Sequence, residues 1–366
     1  MMAGGLQPWL RSLAVLTLAA GLDATPLHRR AGVVPSLSGD AAIMGPVGNS
    51  TYPRANFLSD GSIIGAFTAF DDNPSTGARE SIITLARSTD SGTSWTTIGT
   101  AARGPTATTD IDNPYVLQLP SGRLLVAYRN HDRVSADAWS YYRLTVSYSD
   151  NNGVDWEYLS TPAQDSDAVT GDWEPFLRMA DDGTTLQLYY SRENSDADQD
   201  SLLRTSSDGG VTWSDPTTIG GAELTTARDG MLGVAKTAAG DLIAVFETET
   251  GGGSFHIEAV TSKDDGATWE DRRVVYQPDD SAKGAAAPQV ANVGGTLVVS
   301  FQTNEDGGDY AGKLVTSGDD GQTWDNKITF MPALGQWAGL LALDDSSFLA
   351  MAANDGTAKA QKVVLS

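Results

Sequence analysis

The chain has no cysteine and only three histidines among its 366 residues. No disulfide can staple the fold and no thiolate can hold a metal. His28, His131 and His256 are too widely separated to resemble a zinc site. Bases are scarce too: 24 Lys and Arg stand against 47 Asp and Glu, a formal net charge of −23. Nucleic acids and anionic membranes bind positive faces, so neither is expected as a partner. The same charge disfavours a polyanionic ligand unless a local basic cluster overrides it, and leaves a neutral polymer unaffected. No metal or cofactor is expected, and the chain reads as a monomer. No apolar run is long enough to span a bilayer. The run from Leu13 to Leu22, behind Arg11, has the size of a secretory signal, with a small-residue cleavage site at Leu22-Asp23-Ala24. The expectation is a signal peptide over residues 1–24, with Arg29-Arg30 open as a second processing site, and one extracellular domain over residues 34–366. Asn49-Ser50-Thr51 is a glycosylation sequon in such a chain.

What is present is a repeat. The pattern Ser-x-Asp-x-Gly-x-Thr-Trp occurs five times at nearly even intervals. The copies run from Ser88 to Trp95, Ser149 to Trp156, Ser206 to Trp213, Ser262 to Trp269 and Ser317 to Trp324, with Asn151 and Asp155 as variants in the second. Each reads as a tight turn: Gly supplies a positive φ, Ser and Asp bond the turn's own backbone, and Trp plugs beneath. Between the boxes lie pairs of short apolar strands joined by Gly- or Asp-rich turns, as in Pro114 to Tyr128, Pro175 to Tyr190 and Pro288 to Phe301. Six such pairs can be found, the last and loosest from Trp337 to Met351. This predicts an all-β, six-bladed propeller of four-stranded antiparallel sheets. The last blade has no box, so a segment after residue 33 is expected to complete it and cover two sheet edges. The boxes resemble the Asp boxes of sialidase-like propellers, which bear on fold and not on chemistry.

Strand direction locates the site. If the boxes lie on the lower face, the start of each first strand and the end of each second strand meet at the upper mouth of a central funnel. Just before the Pro or Gly that opens the first strands stand Tyr52, Asn113, Glu174, Asp229 and Ala287. Just after the second strands stand Thr68, Arg129, Ser191, Glu247 and Gln302. These residues differ from blade to blade, unlike the repeated sites of a multivalent lectin, so a single asymmetric site is expected. Glu174 and Glu247, on neighbouring blades, are the candidate catalytic pair. Glycoside cleavage uses two carboxyls, one to protonate the leaving oxygen and one to attack or to activate water. Arg54, Asn113, Arg129, Trp139 and Asp229 are the candidate substrate-binding residues, with Arg228, Tyr141 and Tyr142 nearby. Glu193, Glu249 and Asp132 read as rim charges.

Across the mature chain, the boxes and the two glutamates on the third and fourth blades resemble the fungal exo-arabinanases of glycoside hydrolase family 93. That resemblance implies a secreted six-bladed propeller that releases arabinobiose from the non-reducing end of α-1,5-L-arabinan by a retaining mechanism, with Glu174 as acid/base and Glu247 as nucleophile. Two other readings stay open. A sialidase would use Arg54, Arg129 and Arg228 on a substrate carboxylate and a tyrosine nucleophile backed by Glu247. It would leave Glu174 without a role, and Tyr52-Pro53-Arg54 reverses the Arg-Ile-Pro motif of many sialidases. The other is a glycan-binding propeller without activity.

Overall fold

Each box closes on itself. In the first, the Ser88 hydroxyl accepts from the Gly92 N–H at 2.9 Å and donates to Asp90 Oδ1 at 2.8 Å, and that oxygen accepts from the Ser94 N–H at 2.9 Å. Gly92 sits at φ 86° and Trp95 Nε1 donates to its carbonyl at 3.1 Å. The serine-to-glycine bond recurs in the other four boxes at 2.8–3.0 Å. Because the bonds are local, the five turns form wherever the sequence is written.

The computed structural model describes residues 33–136, 138–165 and 171–366. The expected signal peptide and the Arg29-Arg30 pair lie outside the described residues. Among those described there is no helix, and the strands form six antiparallel blades around an axis. In chain order within each blade the strands are called A to D. Blade 1 is Ser50–Phe57, Ile63–Asp72, Arg79–Ser88 and Thr96–Pro105. Blade 2 is Thr109–Gln118, Leu124–Ser135, Ala138–Ser149 and Glu157–Asp165. Blade 3 is Asp172–Met179, Leu186–Ser195, Asp198–Ser206 and Thr217–Gly220. Blade 4 is Gly230–Lys236, Leu242–Thr248, His256–Ser262 and Glu270–Tyr276. Blade 5 is Ala285–Val293, Thr296–Thr303, Ala311–Ser317 and Asp325–Ala333. Blade 6 has Gly335–Asp344, Ser347–Asn354 and Thr357–Leu365, and its fourth position is filled from the other end of the chain, by Pro35–Leu37 and Ala42–Ile43. Both pair with Thr357–Leu365, with Pro35 opposite Leu365 and Ala42 opposite Ala360.

The core is distributed between blades. Six clusters of buried apolar side chains each join two neighbours, as where Phe67 and Ile82 of blade 1 meet Leu349 and Met351 of blade 6. With no disulfide, this burial is the main term holding the ring.

One irregularity repeats in every blade. The A–B register slips near the upper end of strand A, a β-bulge. One residue in each bulge is left-handed without being glycine: Tyr52, Asn113, Glu174, Met231, Ala287 and Trp337, at φ between 47° and 60°. A left-handed non-glycine residue costs about 1–2 kcal/mol. The bulges re-aim six side chains at the axis, where Tyr52, Met231, Ala287 and Trp337 pack together.

Candidate active site

The residue at the upper end of strand B latches this ring to the next blade. The Met231 N–H donates to Ser191 Oγ at 3.2 Å, the Ala287 N–H to Glu247 Oε2 at 2.6 Å, and the Trp337 N–H to Gln302 Oε1 at 2.9 Å. Glu247 therefore has a packing role as well as a place at the funnel. Above the ring opens a cavity of about 270 Å³, lined by Tyr52, Arg129, Trp173, Glu174, Glu193, Gln199, Arg228, Met231, Glu247 and Trp337. Tyr52 and Trp337 are stacked at 4.5 Å and make an aromatic floor.

Glu174 and Glu247 face this cavity from blades 3 and 4. Burial first, and the charge of Glu247 second, raise Glu174 from 4.5 to about 7. Arg129 and a 2.9 Å hydrogen bond from the Ser191 hydroxyl pull the other way. Burial raises Glu247 to about 7 as well, opposed by the Ala287 N–H and by Arg228. Each anion has a donor and a cation in its favour, Ser191 and Arg129 for Glu174, the Ala287 N–H and Arg228 for Glu247, and only Glu174 is raised by its partner's charge in addition to burial. One carboxylate and one carboxylic acid side by side can both attack and protonate.

Arg129 is the fixed cation of the site. Its Nη2 donates to Asp110 Oδ1 and Asp112 Oδ2, each at 3.2 Å, and its guanidinium lies 5.2 Å from the Trp173 ring centroid. Burial alone would weaken it, but the two aspartates hold it protonated, above its ordinary value. Arg228 donates to Glu193 and to Gln199 Oε1, the latter at 3.0 Å. Glu193 is thus part of the cavity wall and not a free rim charge.

The other binding candidates lie elsewhere. Asp229 does not reach the cavity: it is fully buried and takes two bonds from Arg272, at 2.6 and 2.9 Å. Gly230 pairs with Glu247 as Trp173 pairs with Ser191, so the counterpart of Glu174 in blade 4 is Met231. Arg54 and Asn113 lie one layer down, around a void of only about 10 Å³ that Glu174 also borders. Arg54 is buried and donates to the Pro53 and Trp337 carbonyls at 2.9 and 3.1 Å; its burial lowers it to about 10. Asn113 is 2% exposed and contacts Met231 Sδ at 4.0 Å. Trp139 stands behind the wall. Its Nε1 donates to Asp110 at 3.1 Å, Arg133 covers its ring at 5.0 Å, and it meets Trp173 edge-on at 5.7 Å. Of this pair it is Trp173 that lines the cavity. Sequence reasoning placed no function on Trp173, Met231 or Trp337, although aligning on the bulge would have found Met231 and Trp337.

The fold recurs in known structures. A family 93 α-L-arabinofuranosidase of Fusarium graminearum, solved with arabinobiose, has a TM-score of 0.69 at 21% identity, covering 89% of this chain and 96% of its own. An α-L-arabinanase of Penicillium chrysogenum, also with arabinobiose, has a TM-score of 0.67 at 20% identity, covering 91% and 97%. A sialidase of Streptococcus pneumoniae is less similar, with a TM-score of 0.61 at 12% identity over 90% of this chain and 70% of its own. At such identities the likeness is one of architecture: a sialidase-like propeller. Curated proteins give no significant match. Residues 55–218 and 159–364 each match the same sequence family, and by that match the chain belongs to the family of BNR repeat-like domains.

Proposed function

We propose that this protein is a secreted glycoside hydrolase that releases arabinobiose from the non-reducing end of α-1,5-L-arabinan, with retention of configuration. The observation that carries the proposal is the pair Glu174 and Glu247, facing one cavity from adjacent blades, with burial and then the charge of Glu247 raising Glu174 toward neutrality. The α-L-arabinofuranosidase and the α-L-arabinanase of similar fold, each solved with arabinobiose, support the substrate class.

In the first step the Glu247 carboxylate attacks the anomeric carbon. The glycosidic C–O bond breaks, and Glu174 gives its proton to the departing oxygen. In the second, Glu174 takes a proton from water, the resulting oxygen attacks the same carbon, and the bond to Glu247 breaks. Arabinobiose leaves with both carboxyls restored. Arg129, Arg228 and Gln199 offer donors to sugar hydroxyls, and Trp173, Tyr52 and Trp337 offer ring faces.

The sialidase alternative fares worse in this cavity. Arg54 is turned to backbone carbonyls, Arg129 is neutralised by two aspartates and Arg228 by Glu193. Burial also pushes the Tyr52 hydroxyl well above its ordinary value, away from a nucleophilic phenolate. The test is an assay on debranched arabinan beside a fluorogenic sialoside, with product sized by chromatography. Arabinobiose as sole early product, with its anomeric form followed by NMR, is the expected result. Sialoside turnover with inert arabinan would replace this reading.

A further inference from the structure

Glu174 has two carboxyl oxygens, and the fold treats one of them specially. Oε2 accepts from the Ser191 hydroxyl at 2.9 Å. Ser191 lies on strand B of blade 3, paired with Trp173 on one side and Ser201 on the other, and is fully buried. Its oxygen already accepts from the Met231 N–H at 3.2 Å. With that lone pair taken the hydroxyl cannot swing freely, and its one proton is directed at Glu174.

The same position does something else in the neighbouring blades. In blades 4 and 5 it is Glu247 and Gln302, whose latching oxygens accept. In blade 1 the Thr68 hydroxyl donates to Asp112 Oδ1 at 2.6 Å. In blade 2 it is Arg129, whose side chain offers no acceptor. Ser191 is thus the latch that also holds Glu174. The consequence lies in the neutral acid, where the carbonyl oxygen is the strong acceptor and the other oxygen carries the hydrogen. A donor fixed on Oε2 favours the acid with its hydrogen on Oε1. Ser191 does not line the cavity, so the oxygen bonded to it is engaged behind the wall and Oε1 is left for a sugar.

We propose that Ser191 is a positioning residue for the acid step: by occupying Oε2 it holds the transferable proton of Glu174 on Oε1, facing the glycosidic oxygen. The inference rests on the two-glutamate reading above and adds the group that orients its acid. The bond also favours the ionised carboxylate, so the hydroxyl that aims the proton eases its departure.

The experiment compares the wild-type protein with Ser191→Ala by kcat/KM on two substrates. Debranched arabinan has a leaving oxygen that needs a proton; dinitrophenyl α-L-arabinobioside has one that does not. The expected result is about a tenfold or larger loss on arabinan and less than about threefold on the aryl glycoside, with Ser191→Thr, which keeps the hydroxyl, recovering part of the loss. The descending limb of the arabinan pH profile should move up by about half a unit or more, because the lost bond had favoured the anion. The charged and titratable groups facing Glu174 stay as they were: Glu247 from blade 4, Arg129 from blade 2, Tyr52 and Arg54 from blade 1, and Glu193 from its own blade. Gln302→Leu, which removes a latch without touching Glu174, should leave that limb in place. Equal losses on both substrates with an unmoved limb, or an Ala variant as active as the wild type, would overturn the proposal. Should Ser191→Ala fold poorly, Ser191→Cys keeps the volume with a weaker donor and is held to the same comparison. Carboxyl NMR titration of Glu174 separates the failures. A raised titration in the variant of a protein inert on arabinan removes the activity and leaves the positioning. An active protein in which Glu174 titrates unchanged removes the positioning and leaves the activity.

Discussion

Replacing Glu174 by Gln should abolish catalysis and, at alkaline pH, make the protein more stable. The argument starts from the carboxyl's displacement from 4.5 to about 7 in the folded state. Below pH 4.5 the group is protonated in both folded and unfolded chains and contributes nothing. Between those values the unfolded chain ionises while the folded one resists, so stability falls as pH rises. Above pH 7 the folded state carries the full penalty, ~3.4 kcal/mol for such a displacement. Part of the carboxyl faces the open cavity, whose water screens it, so ~1–3 kcal/mol is the working expectation. Gln keeps the shape and can still accept from Ser191, so the variant removes the charge with little else. Urea denaturation of both proteins at pH 5 and pH 8 measures the difference. The gap should be small at pH 5 and open to ~1–3 kcal/mol in favour of the variant at pH 8, while arabinan hydrolysis falls by orders of magnitude. A variant less stable at pH 8, or a gap independent of pH, would refute the idea that Glu174 is a strained, displaced acid.

Azide separates the roles of the pair. With Glu174→Ala and a substrate bearing a good leaving group, azide should restore turnover with retention, whereas with Glu247→Ala any rescued product should be inverted; the reverse pattern would exchange the two assignments. Removing residues 34–48 should leave blade 6 without its fourth position and cause unfolding or aggregation, read by circular dichroism and light scattering; a soluble, active truncation would refute the closure. Asp229→Asn should destabilise the fold by ~3 kcal/mol by breaking a buried ion pair with Arg272, with KM for arabinan little changed in the protein that remains folded; a large rise in KM would return Asp229 to the site.

The parts of the molecule that were legible in the sequence are those built from local bonds. A box needs only Ser, Asp, Gly and Trp at fixed offsets, so its five copies could be read directly, and blade number and ring closure followed by subtraction. The funnel was legible where proline marked it. Tyr52, Asn113, Glu174 and Ala287 are each followed by Pro, which closed the alignment on the bulge. Met231 and Trp337 are followed by Leu and Ala, and without the mark the fourth blade slipped by two residues, to Asp229. Trp139 failed for another reason. Its neighbour across the blade boundary, Trp173, takes the cavity face, and nothing in either local sequence says which ring stands in front.

The closure of blade 6 also sets an order in time. Pro35 pairs with Leu365, the Val34 N–H bonds the Ser366 carbonyl at 2.9 Å, and Ser36 reaches Val364 across 328 positions of chain. During synthesis, then, the segment around residue 35 emerges long before its partner strand exists. Five blades can assemble behind it while it waits, exposed, as an unpaired strand. The ring becomes cooperative only in the final residues, and contacts of such long range close slowly. Until then the apolar face of blade 1 that Leu349 and Met351 will cover stands open, and Thr357–Leu365 lacks its outer partner, so the interval before this single pairing is when the protein is most open to aggregation.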